Sequence, residues 1–180
     1  MFRRKTDEKN LLASLIAASS IFAINNALAA DGTIDFTGEI IDQACELAAG
    51  SDALKVNLGK VSKTALPSAG STAAATKFTI KLINCPTTVT SASVKFDADS
   101  YIGDDEVIKL KEETGVATGV GIQITDDANK VVPLFTASKT YPLKDGVENN
   151  LDFRARYIAK SDTVTPGPAN GTATFTINYN

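Results

Sequence analysis

The sequence predicts an all-β sandwich, and three observations carry that prediction. Short segments of alternating apolar and polar residues recur along the chain. Clusters of Gly, Pro, Asn and Asp separate them, and no stretch sustains a helical period of apolar residues. Strands at such spacing, with turn signals between them, bury their apolar faces by packing as two sheets.

The first 29 residues read as a signal peptide and stand outside the fold. Arg3, Arg4, Lys5 and Lys9 make a basic start, Leu11 to Ile24 is a short apolar run, and Ala27-Leu28-Ala29 supplies the small residues a signal peptidase reads. The run is shorter than the roughly 20 residues a membrane-spanning helix needs. No later stretch is apolar enough for insertion into a membrane. Cleavage there leaves 151 of the 180 residues, enough for one domain with its own core. The leader carries four basic and two acidic residues, so its loss takes the net charge from −3 to −5. An acidic protein of this kind has no electrostatic drive toward nucleic acid or anionic lipid.

Residues 30–40 follow as a separate segment. Gly32, Ile34, Phe36, Gly38 and Ile40 fall on one face and Thr33, Asp35, Thr37 and Glu39 on the other, the pattern of a half-buried strand. Alternation does not say which chain that strand pairs with. Residues 41–180 form the predicted domain. Within it Phe78, Ile80 and Leu82 share a face leading into Cys85, and Val94, Phe96 and Ala98 share a face of the next strand. Val120, Ile122 and Ile124 alternate with Gly121, Gln123 and Thr125 before a turn at Asp126 to Asn129. Leu151, Phe153, Ala155 and Tyr157 alternate with Asp152, Arg154, Arg156 and Ile158. Pro166-Gly167-Pro168 and Asn170-Gly171 break the chain before a last strand with Ala173, Phe175, Ile177 and Tyr179 on one face. Ser68 to Thr76 reads as a loop of small residues, and Asp97, Asp99, Asp104, Asp105 and Glu106 as a solvated acidic loop around Gly103.

The chain contains no histidine and no tryptophan. Ser–His and Cys–His nucleophilic chemistry and histidine metal sites are therefore excluded, and the sequence shows no catalytic, cofactor-binding or metal-binding constellation. Cys45 and Cys85 are the only cysteines, both in the exported part. An oxidising compartment favours pairing them, with one connectivity available.

Several stretches, taken in order, resemble the chaperone–usher pilins, and within them the major subunit of type 1-like fimbriae. They are Phe36-Thr37-Gly38-Glu39-Ile40-Ile41 leading to Ala44-Cys45, Val56 to Val61, Phe78 to Cys85, Gly119 to Ile124, and Phe153 to Tyr157. Tyr179 is penultimate and Gly167 fourteenth from the C-terminus, as in that family's chaperone-recognition signature. The resemblance implies an incomplete immunoglobulin-like sandwich that lacks its seventh and last strand, with residues 30–40 as a donor-strand extension. It implies a groove, occupied by a chaperone's strand and then by a neighbour's extension, to which Gly167, Phe175, Ile177 and Tyr179 belong. The implied partners are identical or related pilin subunits, a periplasmic chaperone and an outer-membrane usher, with export through the periplasm to a fimbrium on the cell surface, where it contributes to cell adhesion. Addition of a strand to an open sheet edge is a general recognition mode, of which pilins are a named example. Gly38 suits a point where a donor passes close to an acceptor's backbone. Rival functions are a minor adaptor or tip subunit, a self-contained periplasmic immunoglobulin-like binding domain, and an exported hydrolase working through carboxylates.

Overall fold

A computed structural model describes residues 32–38, 40 and 44–180. The predicted signal peptide, the first two residues of the extension, Glu39 and residues 41–43 lie outside the described residues. Residues 32–38 belong to a unit separate from a second one, Ile40–Asn180. Among its described residues the second unit contains nine strands in two antiparallel sheets, as the alternation predicts.

The strands are β1 (Glu46–Leu47), β2 (Thr72–Ile83), β3 (Ser91–Asp97), β4 (Ser100–Tyr101), β5 (Asp104–Ile108), β6 (Val120–Asp126), β7 (Tyr141–Pro142), β8 (Asn149–Ala159) and β9 (Thr174–Tyr179). A six-stranded sheet has the order β1-β2-β8-β6-β5-β4, and a three-stranded sheet the order β7-β3-β9. Its spine is the pairing of β2 with β8, which places Phe78 opposite Phe153 and Ile80 opposite Leu151. The inward residues of both sheets then meet. Phe153 is wholly buried, with its ring centroid 5.0 Å from that of Phe96, 5.5 Å from Tyr141 and 5.7 Å from Phe78. Edge-to-face packing of Phe96 and Tyr141 on Phe153 thus joins the three-stranded sheet to β8.

The turn at Asp126 forms as expected. The Asp126 Oδ1 accepts from the Ala128 and Lys130 amides, both at 2.9 Å, and Asn129 takes a positive φ of 63°.

Three expectations are corrected. The small-residue stretch is not a loop throughout, because β2 already begins at Thr72 and pairs with Ile158. A bulge between Ala73 and Thr76 interrupts the ladder, with Ala74 at φ 58°. Small side chains look loop-like in sequence, yet here they accommodate an extra residue in a strand. The acidic stretch is also partly strand. Asp104, Asp105 and Glu106 open β5, anchored by the buried Val107 and Ile108, and Gly103 forms the turn from β4. Lys160 pairs with Asp104 and holds its carboxyl below the usual range, while Lys95 lies 3.1 Å from Asp97. Finally, β6 is buried on both faces and not on one. Gln123 accepts two bonds from Arg156, at 3.0 and 2.7 Å, and Gly121 lies so near the Ile108 carbonyl that a Cβ would stand 2.8 Å from it.

Candidate assembly groove

The last strand is a sheet edge whose inward face is incompletely covered. Along β9, Phe175, Ile177 and Tyr179 point toward the core while Thr174, Thr176 and Asn178 are exposed. Their ladder partners on β3 are Phe96, Val94 and Ala92, all buried. The three β9 residues remain only half-buried. Two strands of one sheet, in register and with the same face inward, therefore differ in cover. The outer one lacks a neighbour among the described residues.

The opposite wall is built by residues 52–61, which belong to no strand. Leu54, Val56 and Leu58 line the same space as Phe175; Val56 and Leu58 are half-buried, whereas Lys55 and Asn57 are exposed, as is Leu54 at its start. That is a two-residue period in an extended segment outside either ladder. Sequence reasoning missed these residues as groove-formers, although the alternation Leu54-Lys55-Val56-Asn57-Leu58 was there to be read.

Between the walls lies a cavity of about 550 Å³, floored by Phe78, Phe96, Ile108, Ile122, Ile124 and Ala155. A second, of about 350 Å³, is lined by the next residues of the same elements: Gly59 after Leu58, Tyr157 after Ala155 and Val120 before Ile122. The two cavities thus succeed one another along these elements; the first is mainly apolar, whereas the second also takes in Lys60, Lys63, Thr165 and Asn170.

Phe175 lines the first cavity and Gly167 the second. Ile177 and Tyr179 lie farther along the same face of β9, outside both cavities. The Tyr179 hydroxyl donates to the Cys45 carbonyl at 3.2 Å, and burial pushes its phenol pKa upward. Gly167 sits where the chain approaches the 115–117 loop. A Cβ there would lie 2.7 Å from the Ala117 nitrogen and 2.9 Å from the Val116 carbonyl carbon, with the Gly115 oxygen nearer still. Bonds from the Ala117 amide to the Pro168 carbonyl, 2.9 Å, and from the Lys111 amide to the Asn170 carbonyl, 2.8 Å, hold that approach. Gly167→Ala is therefore expected to destabilise the domain by about 1–3 kcal/mol through overpacking, as measured by denaturant titration. An unchanged midpoint would show that the loops separate freely.

The extension's residues contrast with that groove. Residues 32–38 form no strand, and Ile34, Phe36 and Ile40 are 78%, 91% and 98% exposed. Gly32 and Gly38 are likewise exposed. Such exposure is unusual for a run of large apolar side chains in strict alternation.

The disulfide is present as expected. Cys45, directly before β1, is bonded to Cys85, just past β2, with the Cα atoms 4.1 Å apart. Asn149 beside it is buried. Its Nδ2 donates to the Lys144 carbonyl at 2.9 Å and lies 3.5 Å from the Cys85 sulfur.

Residues 34–180 match the family model described as fimbrial protein. The chain belongs to the fimbrial protein family. It is 38% identical over 170 residues to the long polar fimbria protein A of Salmonella typhimurium, covering 94% of this chain and 93% of that protein. It is 37% identical over 172 residues to the type-1 fimbrial protein A chain of Escherichia coli K12, covering 92% and 93%. Among solved structures, the P pilus rod subunit PapA superposes with a TM-score of 0.65 at 25% identity, over 77% of this chain and all of that one. The fimbrial chain described here is accordingly a structural pilin subunit of a surface fimbrium, with an immunoglobulin-like pilin fold. Its family is one of structural fimbrial proteins and not of enzymes.

Proposed function

We propose that residues 30–40 are a donor strand, which fills the groove of the next subunit in the fimbria and so joins subunits end to end. The observation that carries this reading is the half-buried inner face of β9 beside the fully buried face of β3. A groove walled by a strand paired on one side only and by a segment in no ladder, over an apolar floor, has the chemistry of a missing strand. The extension offers the complement, with Ile34, Phe36 and Ile40 on one face and Gly38 between them. Ile34, Phe36 and Ile40 enter beside β9, while Thr33, Asp35 and Thr37 face solvent or other subunits.

An open groove of this kind is an aggregation hazard before assembly. We infer that a periplasmic chaperone covers it during transit and that an outer-membrane usher exchanges the chaperone's strand for the extension. Gly167, Phe175, Ile177 and Tyr179 belong to the surface these partners read.

The test is complementation of the exported chain, residues 30–180, by a free peptide of residues 30–41. At a hundredfold excess over its Kd, the peptide is expected to add about 2.7 kcal/mol by mass action. For a domain of this size that is a rise in Tm of roughly 5–10 °C. A monomer melting at the same temperature with and without saturating peptide would remove the basis of the reading.

A further inference from the structure

We propose that the Tyr179 hydroxyl is a latch that ties the groove-bearing strand to the root of the subunit's own extension, so that filling the groove steadies that root. The inference rests on the donor-strand reading above and deepens it. β9 ends in backbone bonds to the start of β3 in its own sheet. The Asn180 amide donates to the Ser91 carbonyl at 2.9 Å, and the Asn180 carbonyl accepts from the Thr90 and Ser91 amides, both at 3.1 Å. The phenol of Tyr179 then crosses from the three-stranded sheet to the Cys45 carbonyl, 3.2 Å away. Cys45 is the residue that enters β1, and its sulfur is bonded to Cys85.

Little else in the ladders fixes that root. β1 is two residues long and pairs with β2 at only Glu46 and Leu47, helped by the bond from the Ala48 amide to the Lys81 carbonyl, 2.9 Å. The disulfide limits how far Cys45 can move, but it does not fix the peptide plane beyond it. The phenol bond acts on that plane, through the carbonyl it holds. It also comes from the strand whose free edge is offered to an incoming donor. A donor that rigidifies β9 therefore rigidifies the carbonyl of Cys45 and, with it, the entry to β1. Tyr179 is a positioning residue in this scheme. It lines neither cavity.

Amide hydrogen exchange on the exported wild-type chain and on Tyr179→Phe, both with the disulfide intact, tests the proposal. Measurements are made with and without the peptide of residues 30–41. Without peptide, exchange at Glu46, Leu47 and Ala48 is expected to rise about threefold in the variant. That is the low end for a lost hydrogen bond, as befits a long one. The β2–β8 ladder should keep its wild-type rates. With peptide, wild type should gain protection at both β9 and these three amides, and Tyr179→Phe at β9 alone.

Equal rates at residues 46–48 in the two proteins would overturn the latch. A uniform rise across both sheets, or a variant that does not fold, would also overturn it, since either makes the phenol an ordinary contributor to stability. So would a folded variant that no longer takes the peptide, because the phenol would then belong to the groove itself. Failure of the wild type to bind peptide would sink the donor-strand reading instead, and the peptide-free comparison would still decide the latch.

Discussion

If residues 30–40 are the donor, cells expressing the Phe36→Asp subunit are expected to make no fimbriae, while the subunit itself is still exported and still binds the chaperone proposed above. Phe36 is 91% exposed in the isolated chain, so the substitution removes no contact the domain needs for folding. All of the effect falls on the assembled state. Burying a phenylalanine contributes about 1.5–3 kcal/mol, and an unpaired carboxylate in the same apolar site costs several more. Together these reduce donor affinity by at least about a thousandfold, at roughly 1.4 kcal/mol per factor of ten. The strand cannot escape by slipping one residue, because that register buries Asp35 and exposes its apolar face. Asp35→Asn, on the opposite face, is expected to change assembly little. Electron microscopy of the cell surface, with a chaperone pull-down from the periplasm, reads both variants. Normal fimbriae from Phe36→Asp would show that another segment is the donor.

What was legible in the sequence follows from the period of its strands. The faces of β2, β3, β8 and β9 were readable because each runs for six residues or more, long enough for alternation to be unmistakable. β1, β4 and β7 have two residues each and carry no period at all. They exist because their neighbours hold them. The burial of Gln123 and Thr125 was equally invisible, since it depends on Arg156 across the sheet and on the elements that cover β6. Of the groove, Phe175 was legible as an inward residue of a terminal strand. The wall at Leu54, Val56 and Leu58 was not legible as one, because a short alternation flanked by the turn residues Gly50-Ser51-Asp52 and Asn57-Leu58-Gly59, with no ladder partner, resembles a connection. Gly167 came from a family resemblance, and its geometry adds a separate reason for glycine: the 115–117 backbone leaves no room for a Cβ.

Replacing both cysteines, as Cys45→Ala with Cys85→Ala, is expected to cost the peptide-complemented subunit about 3–4 kcal/mol. The bond closes a loop with a sequence separation of 40 residues. On the chain-entropy model, freeing a loop of that length in the unfolded state accounts for the whole of that figure. Net stabilities of single domains are about 5–15 kcal/mol, so the loss is a substantial share. The effect is largest for the parts that the bond alone secures. β1 has two ladder residues, and with the bond gone residues 44–47 keep those, the bond from Asn84 Nδ2 to the Glu46 carboxylate at 2.8 Å and the Tyr179 phenol. Loss of the sulfurs also removes the neighbour that Asn149 meets at 3.5 Å, but its bonds to the Lys144 and Val147 carbonyls remain, so the 144–149 loop should survive. Denaturant titration of the complemented wild type and double variant measures the total, with m-values compared for changes in the unfolded state. Local exchange at residues 46–48 then separates the loosened root from the intact sheets. A loss below about 1 kcal/mol would mean that the unfolded chain already keeps these residues close, so that the bond contributes little beyond the ladder of β1 and β2.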